Sequence, residues 1–64
     1  MTEQTLADLA IVLSYRSVEI CRNEGSNNWI RLYPVDGKPW QTFSGLVFAN
    51  VVAAARKWIE EQKP

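Results

Sequence analysis

A strictly alternating run occupies residues 28–33, NWIRLY. Successive residues of a β-strand face opposite sides of a sheet, so Ile30 and Leu32 share one apolar face. The opposite face carries two large aromatic side chains and an arginine, residue types that dominate binding hot spots. These three residues are Trp29, Arg31 and Tyr33. The run therefore predicts a strand with one face toward a core and an aromatic and basic surface on the other.

A helical spacing of apolar residues comes before this strand. Thr5, followed three residues later by Asp8, predicts a capping box at the start of the helix, and Thr2 is the alternative cap. The spacing i, i+3, i+4, i+7 defines the predicted apolar face of this helix. That face consists of Leu6, Leu9, Ala10 and Leu13.

Two further strands are predicted by alternation, over residues 17–22 and 40–43. Residues 23–28 are polar or turn-forming and predict a loop, and the pair Asp36-Gly37 is a strong hairpin-turn signal. If Phe43 faces the core, counting back by twos places Trp40 on the other face, beside the aromatic residues of the second strand.

The last segment is predicted to be a second helix with Ser44 as its cap. Its predicted core stripe consists of Phe48, Val51, Val52, Ala55 and Ile59. The stripe is widened on one flank by Val47, Ala54 and Trp58, and the predicted solvated positions are Asn50, Lys57, Glu60 and Glu61.

The predicted fold class is α+β: one domain over residues 1–64, in the order helix, three-stranded antiparallel meander, helix. We expect both helices to pack on the apolar face of the sheet, and helices on opposite faces are the alternative. The predicted common core consists of Leu6, Leu9, Leu13, Val18, Ile20, Ile30, Leu32, Phe43, Phe48, Val52 and Ile59.

This order of elements resembles that of the double-stranded-RNA-binding domain over nearly the whole chain. The alanine-rich run at residues 49–55 is also similar to the last helix of that family. The family holds RNA phosphates with a lysine cluster at the start of this helix. Here the corresponding residues 45–48, GLVF, carry no charge, and the loop at residues 23–28 has no lysine. The resemblance therefore implies a fold and does not extend to that RNA contact.

The amino-acid composition disfavours several kinds of catalytic and metal site. The chain has no histidine and one cysteine, which disfavours a zinc site and excludes an internal disulfide. Its seven carboxylates are scattered, and its three isolated glycines form no phosphate-binding loop. A packed structural role is favoured for Cys21 over a nucleophile activated by Arg22 or Arg31. We therefore expect no enzyme activity, no metal and no cofactor.

The N-terminal residues lack a basic region, and the apolar run at residues 9–13 is short. Neither a signal peptide nor a membrane span is expected. The single cysteine fits a reducing compartment, so the cytoplasm is the predicted location.

These features predict a small non-catalytic protein-binding module, acting as an adaptor or as an inhibitor of a larger protein and encoded by a bacterium or a phage. The alternative is a nucleic-acid-binding module that uses the same sheet face, with phosphate contacts from Arg16, Arg22, Arg31 and Lys38. The balance of seven basic and seven acidic residues disfavours that alternative. The predicted partner-binding residues are Trp29, Arg31, Tyr33, Trp40, Arg22 and Lys38.

Two further expectations concern this surface. The aromatic side chains are either open to a partner or covered by a helix or a folded-back loop. A homodimer is also expected, because so short a chain cannot bury all its apolar surface. Its predicted interface combines the aromatic strand face with Ile11, Val47 and Trp58.

Overall fold

Five elements follow one another in the computed structural model, which describes residues 2–23, 25–34 and 38–62. They are α1 (Glu3–Leu13), β1 (Val18–Cys21), β2 (Asn28–Leu32), β3 (Gln41–Gly45) and α2 (Phe48–Glu61). The predicted α+β class and element order are confirmed. The predicted turn at Asp36-Gly37 lies outside the described residues.

The three strands form an open antiparallel sheet in the order β1-β2-β3. Ile30, in the middle of β2, pairs with Ile20 of β1 and with Phe43 of β3. Paired residues share a face, so this register gathers the apolar side chains of all three strands on one side. The alternation read from the sequence thus assigns the two faces correctly.

Both helices lie on this apolar side of the sheet. α2 packs over β2 and β3, and α1 packs against α2. Val12 of α1 and Val52 of α2 are fully buried in the same cluster as Ile30 and Leu32. The predicted placement of the helices on one face is confirmed, and within the described residues no helix lies over the other face.

The predicted stripe of α2 is also found in the structure: Val51, Val52, Ala55 and Ile59 are buried, and Phe48 is partly buried. The predicted cap at Ser44 is wrong. β3 continues through Gly45, so the residue that precedes the helix is Val47, which makes no capping hydrogen bond through its side chain. Within the described residues, no helix has the length and apolar character needed to cross a membrane.

The predicted apolar face of α1 is wrong. Leu6 is 50% exposed and Leu13 is 56% exposed, so neither belongs to the core. Ala10 is exposed as well, and Leu9 is only partly buried against the core. The residues that α1 buries are Thr5, Asp8 and Val12.

Polar contacts explain this rotation of α1. Asp8 is buried and accepts hydrogen bonds from Arg56 of α2 and from Gln4, the latter at 2.9 Å. The Arg56 hydrogen bond, followed by that of Gln4, lowers the pKa of the Asp8 carboxyl below its usual value. A buried carboxylate needs such partners, so α1 turns Asp8 toward α2 and leaves Leu6 and Leu13 exposed.

The N-terminal cap of α1 is Thr2, the alternative that the sequence offered. Its hydroxyl oxygen accepts a hydrogen bond from the backbone N–H of Thr5 at 3.1 Å. The capping box predicted at Thr5 and Asp8 is therefore wrong, because the helix begins earlier and Asp8 bonds to α2 instead.

Candidate functional site

The outer face of the sheet gathers four of the predicted site residues. Trp29 and Arg31 project from β2, and Tyr33 and Trp40 continue the same alternation just beyond the ends of β2 and β3. Trp40 is 63% exposed, and the other three are partly exposed. We call Trp29, Arg31, Tyr33 and Trp40 the aromatic face.

Arg31 lies at the centre of the aromatic face. Its Cζ atom is 5.3 Å from the ring centroid of Trp29 and 5.6 Å from that of Trp40. Its Nε atom donates a hydrogen bond to the hydroxyl of Thr42 on β3 at 3.3 Å. A guanidinium has five N–H donors, and this bond uses one of them. The two rings and the hydroxyl thus hold the cation in place, and its other N–H groups donate no hydrogen bond to the residues that the structure describes.

Tyr33 and Trp40 form the second contact of the aromatic face. Their rings meet edge to face, with centroids 4.8 Å apart and planes at 72°. The Tyr33 hydroxyl donates a hydrogen bond to the carboxylate of Glu19 on β1. Glu19 in turn pairs with Arg31 across the β1–β2 ladder. Side chains from all three strands therefore contribute to this surface.

Sequence reasoning missed Glu19 and Thr42 as neighbours of Arg31. Both pair directly with Arg31 in the sheet, Glu19 from β1 and Thr42 from β3. The sequence does indicate the position of Glu19, because Glu19 alternates with Val18 and Ile20, two predicted core residues. Once those face the core, Glu19 must share the outer face.

The other two predicted site residues lie elsewhere. The Cζ atom of Arg22 is 5.3 Å from the ring centroid of Phe48, at the start of α2. Lys38 is exposed and lines an open groove of about 480 Å³ whose other walls include Tyr15 and Trp58. The residues described around these two cations thus lie outside the aromatic face.

The homodimer surface predicted from the sequence is also dispersed. Ile11 and Trp58 pack against the core, and Trp58 makes an edge-to-face contact with Tyr15 at 6.0 Å between centroids. Val47 is exposed, at the start of α2. Ile11 and Trp58 therefore offer only part of their surface to a second copy.

Cys21 lies on the outer face of the sheet, where it pairs with Trp29 in the β1–β2 ladder. It is partly buried, and the side-chain amide of Asn23 donates a hydrogen bond to its sulfur at 3.1 Å. Among the residues that the structure describes, no group of three or more His, Cys, Asp or Glu is placed to hold a metal.

Comparisons of the chain with protein-family models, with curated proteins and with solved structures found no match. The resemblance to the double-stranded-RNA-binding domain thus rests on the order of elements and on the alanine-rich run at residues 49–55.

Proposed function

We propose that this chain is a non-catalytic protein-binding module that docks through the aromatic face. The observation that carries the proposal is the placement of the Arg31 guanidinium between the rings of Trp29 and Trp40. Tryptophan and arginine are the residue types most enriched among residues that dominate binding energy. Their mutual contacts also restrict their rotamers before binding, which lowers the entropic cost of association.

The chemistry of this surface specifies the contact it would make. A guanidinium can donate two parallel hydrogen bonds to the two oxygens of a carboxylate. An arginine stacked on aromatic rings cannot be replaced by lysine without losing that planar geometry. Trp40 offers exposed apolar surface beside the cation. The proposed partner therefore presents an Asp or Glu side chain next to an apolar one.

Two observations favour a protein partner over nucleic acid. Arg22 lies beside Phe48, and Lys38 lines the groove beside Tyr15 and Trp58, so these two expected phosphate contacts are not gathered around Arg31. The net charge is zero, whereas single-strand binders combine stacking aromatics with a basic groove. The sole support for the alternative is the pair of rings around Arg31, on which bases can stack.

In this proposal the module acts in the cytoplasm, as an adaptor or as an inhibitor of a larger protein. The single cysteine supports a reducing compartment.

Selection of random peptides displayed on phage against the immobilised full chain tests the proposal. We expect the selected peptides to be rich in Asp or Glu beside an apolar residue. Arg31→Gln and Trp40→Ala should each weaken a selected peptide about tenfold or more, measured by fluorescence polarisation. Leu46→Ala, which truncates a 76% exposed side chain outside the aromatic face, is the matched control and should leave binding unchanged.

Equal binding of the peptides to wild type and to both aromatic-face variants would place the binding site elsewhere and contradict the proposal. A fluorescein-labelled oligothymidylate serves as the second probe. Affinity for it that Arg31→Gln removes and that falls steeply with salt would establish the nucleic-acid alternative instead.

A further inference from the structure

A row of apolar side chains on α1 faces solvent. Leu6, Ala10 and Leu13 are separated by four and then three residues, which places them on one side of the helix. All three are exposed. We call Leu6, Ala10 and Leu13 the leucine stripe.

The leucine stripe departs from the usual arrangement of a surface helix. α1 buries Thr5, Asp8 and Val12 against the rest of the chain and leaves Leu6 and Leu13 exposed. An amphipathic helix normally buries its apolar side, because apolar surface in water is costly. Within one chain, the ion pair of Asp8 with Arg56 keeps the leucines from turning inward.

We infer that the leucine stripe is the interface with a second copy of this chain, with the two α1 helices packed antiparallel. A two-fold axis brings the Leu6 end of one helix to the Leu13 end of the other. It also places Ala10 of each copy near the centre, where a small side chain lets the helices approach closely. One patch thus serves both copies, as a closed symmetric pair requires.

The charges at the ends of α1 complement each other in the same arrangement. Glu3 is exposed in the first turn, and Arg16 is exposed three residues after the helix ends at Leu13. Antiparallel packing sets Glu3 of each copy near Arg16 of the other, whereas parallel packing would bring like charges together. Antiparallel packing also places the two helix dipoles in opposite directions, which is the favourable arrangement. The charge pattern therefore selects a second copy in one orientation.

This pairing leaves the aromatic face free. α1 and α2 cover one side of the sheet, and Trp29, Arg31 and Trp40 lie on the other. A dimer through the leucine stripe and docking through the aromatic face therefore do not compete for surface. The two proposals can fail separately.

A single pair of helices buries less than the roughly 1,200–2,000 Å² of a standard stable interface. We therefore expect reversible association between micromolar and millimolar concentrations. Sedimentation equilibrium of the full chain should show a monomer of 7.3 kDa converting to a dimer as concentration rises. A single monomer mass at every concentration would overturn the inference.

The double substitution Leu6→Gln with Leu13→Gln should abolish the dimer while circular dichroism shows an unchanged fold, because neither leucine belongs to the core. Leu46→Gln is the matched control for removing an exposed leucine and should leave the dimer intact. Trp40→Ala should also leave it intact. A dimer that survives the double substitution, or that Trp40→Ala removes, would show that the interface lies elsewhere.

Charge reversal tests the antiparallel orientation. Glu3→Arg and Arg16→Glu should each weaken the dimer by roughly two- to tenfold, because two exposed ion pairs are lost per dimer. Combining the two substitutions should restore the wild-type association constant. Additive weakening in the combined variant would refute the antiparallel arrangement.

Discussion

The buried side chain of Asn28 forms hydrogen bonds with two loops of the chain. It is 3% exposed at the start of β2. Its Nδ2 atom donates hydrogen bonds to the carbonyl oxygens of Gly45 and Leu46, both at 3.2 Å. Its Oδ1 atom accepts a hydrogen bond from the backbone N–H of Asn23 at 2.9 Å. The amide therefore ties the β1–β2 loop to the segment between β3 and α2.

Replacing Asn28 with alanine removes all three hydrogen bonds. Each net hydrogen bond contributes about 1 kcal/mol, and partners left buried add to the loss, so we expect a decrease of roughly 2–4 kcal/mol in the free energy of unfolding. For a domain of this size that lowers the melting temperature by roughly 10–30 °C. The loss is a large share of the roughly 3–10 kcal/mol expected for the whole chain.

Asn28→Asp should be more damaging at neutral pH, because an ionised carboxylate oxygen would face the carbonyl oxygens of Gly45 and Leu46. Such contacts raise the pKa of the new carboxyl in the folded state above its unfolded value. Folding then favours proton uptake, so the stability of this variant should rise as the pH falls toward that pKa.

Urea denaturation followed by tryptophan fluorescence measures these changes. Asn27→Ala is the matched control, since Asn27 is the exposed neighbour and its substitution should change stability by less than about 0.5 kcal/mol. A loss in Asn28→Ala no larger than that of the control would refute the reasoning. So would an Asn28→Asp variant whose stability falls in parallel with wild type on acidification.

Three further predictions follow from burial and charge. Because the pKa of Asp8 is lowered in the folded state, its stabilising effect is present above the unfolded pKa of about 4 and is lost as the pH falls through the folded value. Asp8→Asn should therefore make the free energy of unfolding depend less on pH below about pH 4. The same pH dependence in the variant and in wild type would contradict this. At concentrations where the chain is monomeric, Leu6→Ala should change the free energy of unfolding by less than about 0.5 kcal/mol, whereas Ile30→Ala should lower it by about 2–5 kcal/mol. Equal losses of stability in urea denaturation would show that Leu6 belongs to the core. Trp40→Phe should remove more acrylamide-quenchable fluorescence than Trp58→Phe, because Trp40 is far more exposed, and the reverse order would mean that the aromatic face is covered.

The sheet was predictable because its information is local. Alternation along residues 28–33 is sufficient to separate Ile30 from Arg31, since side-chain direction in a strand has a period of two. The same counting placed Trp40 on the face of Trp29, where the structure has it. Strand ends were less predictable, and β3 continues through Gly45, two residues beyond its predicted end.

The buried face of α1 was not predictable from periodicity. Leu6 and Leu13 give the stronger apolar pattern, but Asp8 decides the orientation through a hydrogen bond to Arg56. No local rule connects residues so far apart in the chain. Periodicity indicates which side of a helix is apolar, and the partner of a charged side chain can override it.

The position of Arg22 could also have been predicted. It was grouped with the residues of the aromatic face, although it alternates with the same period as Val18 and Ile20, which face the helices. The structure accordingly places it beside Phe48. Alternation would have assigned it correctly.

The contact between α1 and α2 has a consequence for the order in which the chain folds. Asp8 and Arg56 are 48 residues apart, whereas the strands pair with their immediate successors. Closing a long loop costs more entropy than closing a short one, so we expect the meander to form before α1 is placed. Asp8→Asn should therefore speed unfolding and leave the folding rate nearly unchanged, and a markedly slower folding rate would contradict this order. The first segment of the chain would then be the last to reach its native position.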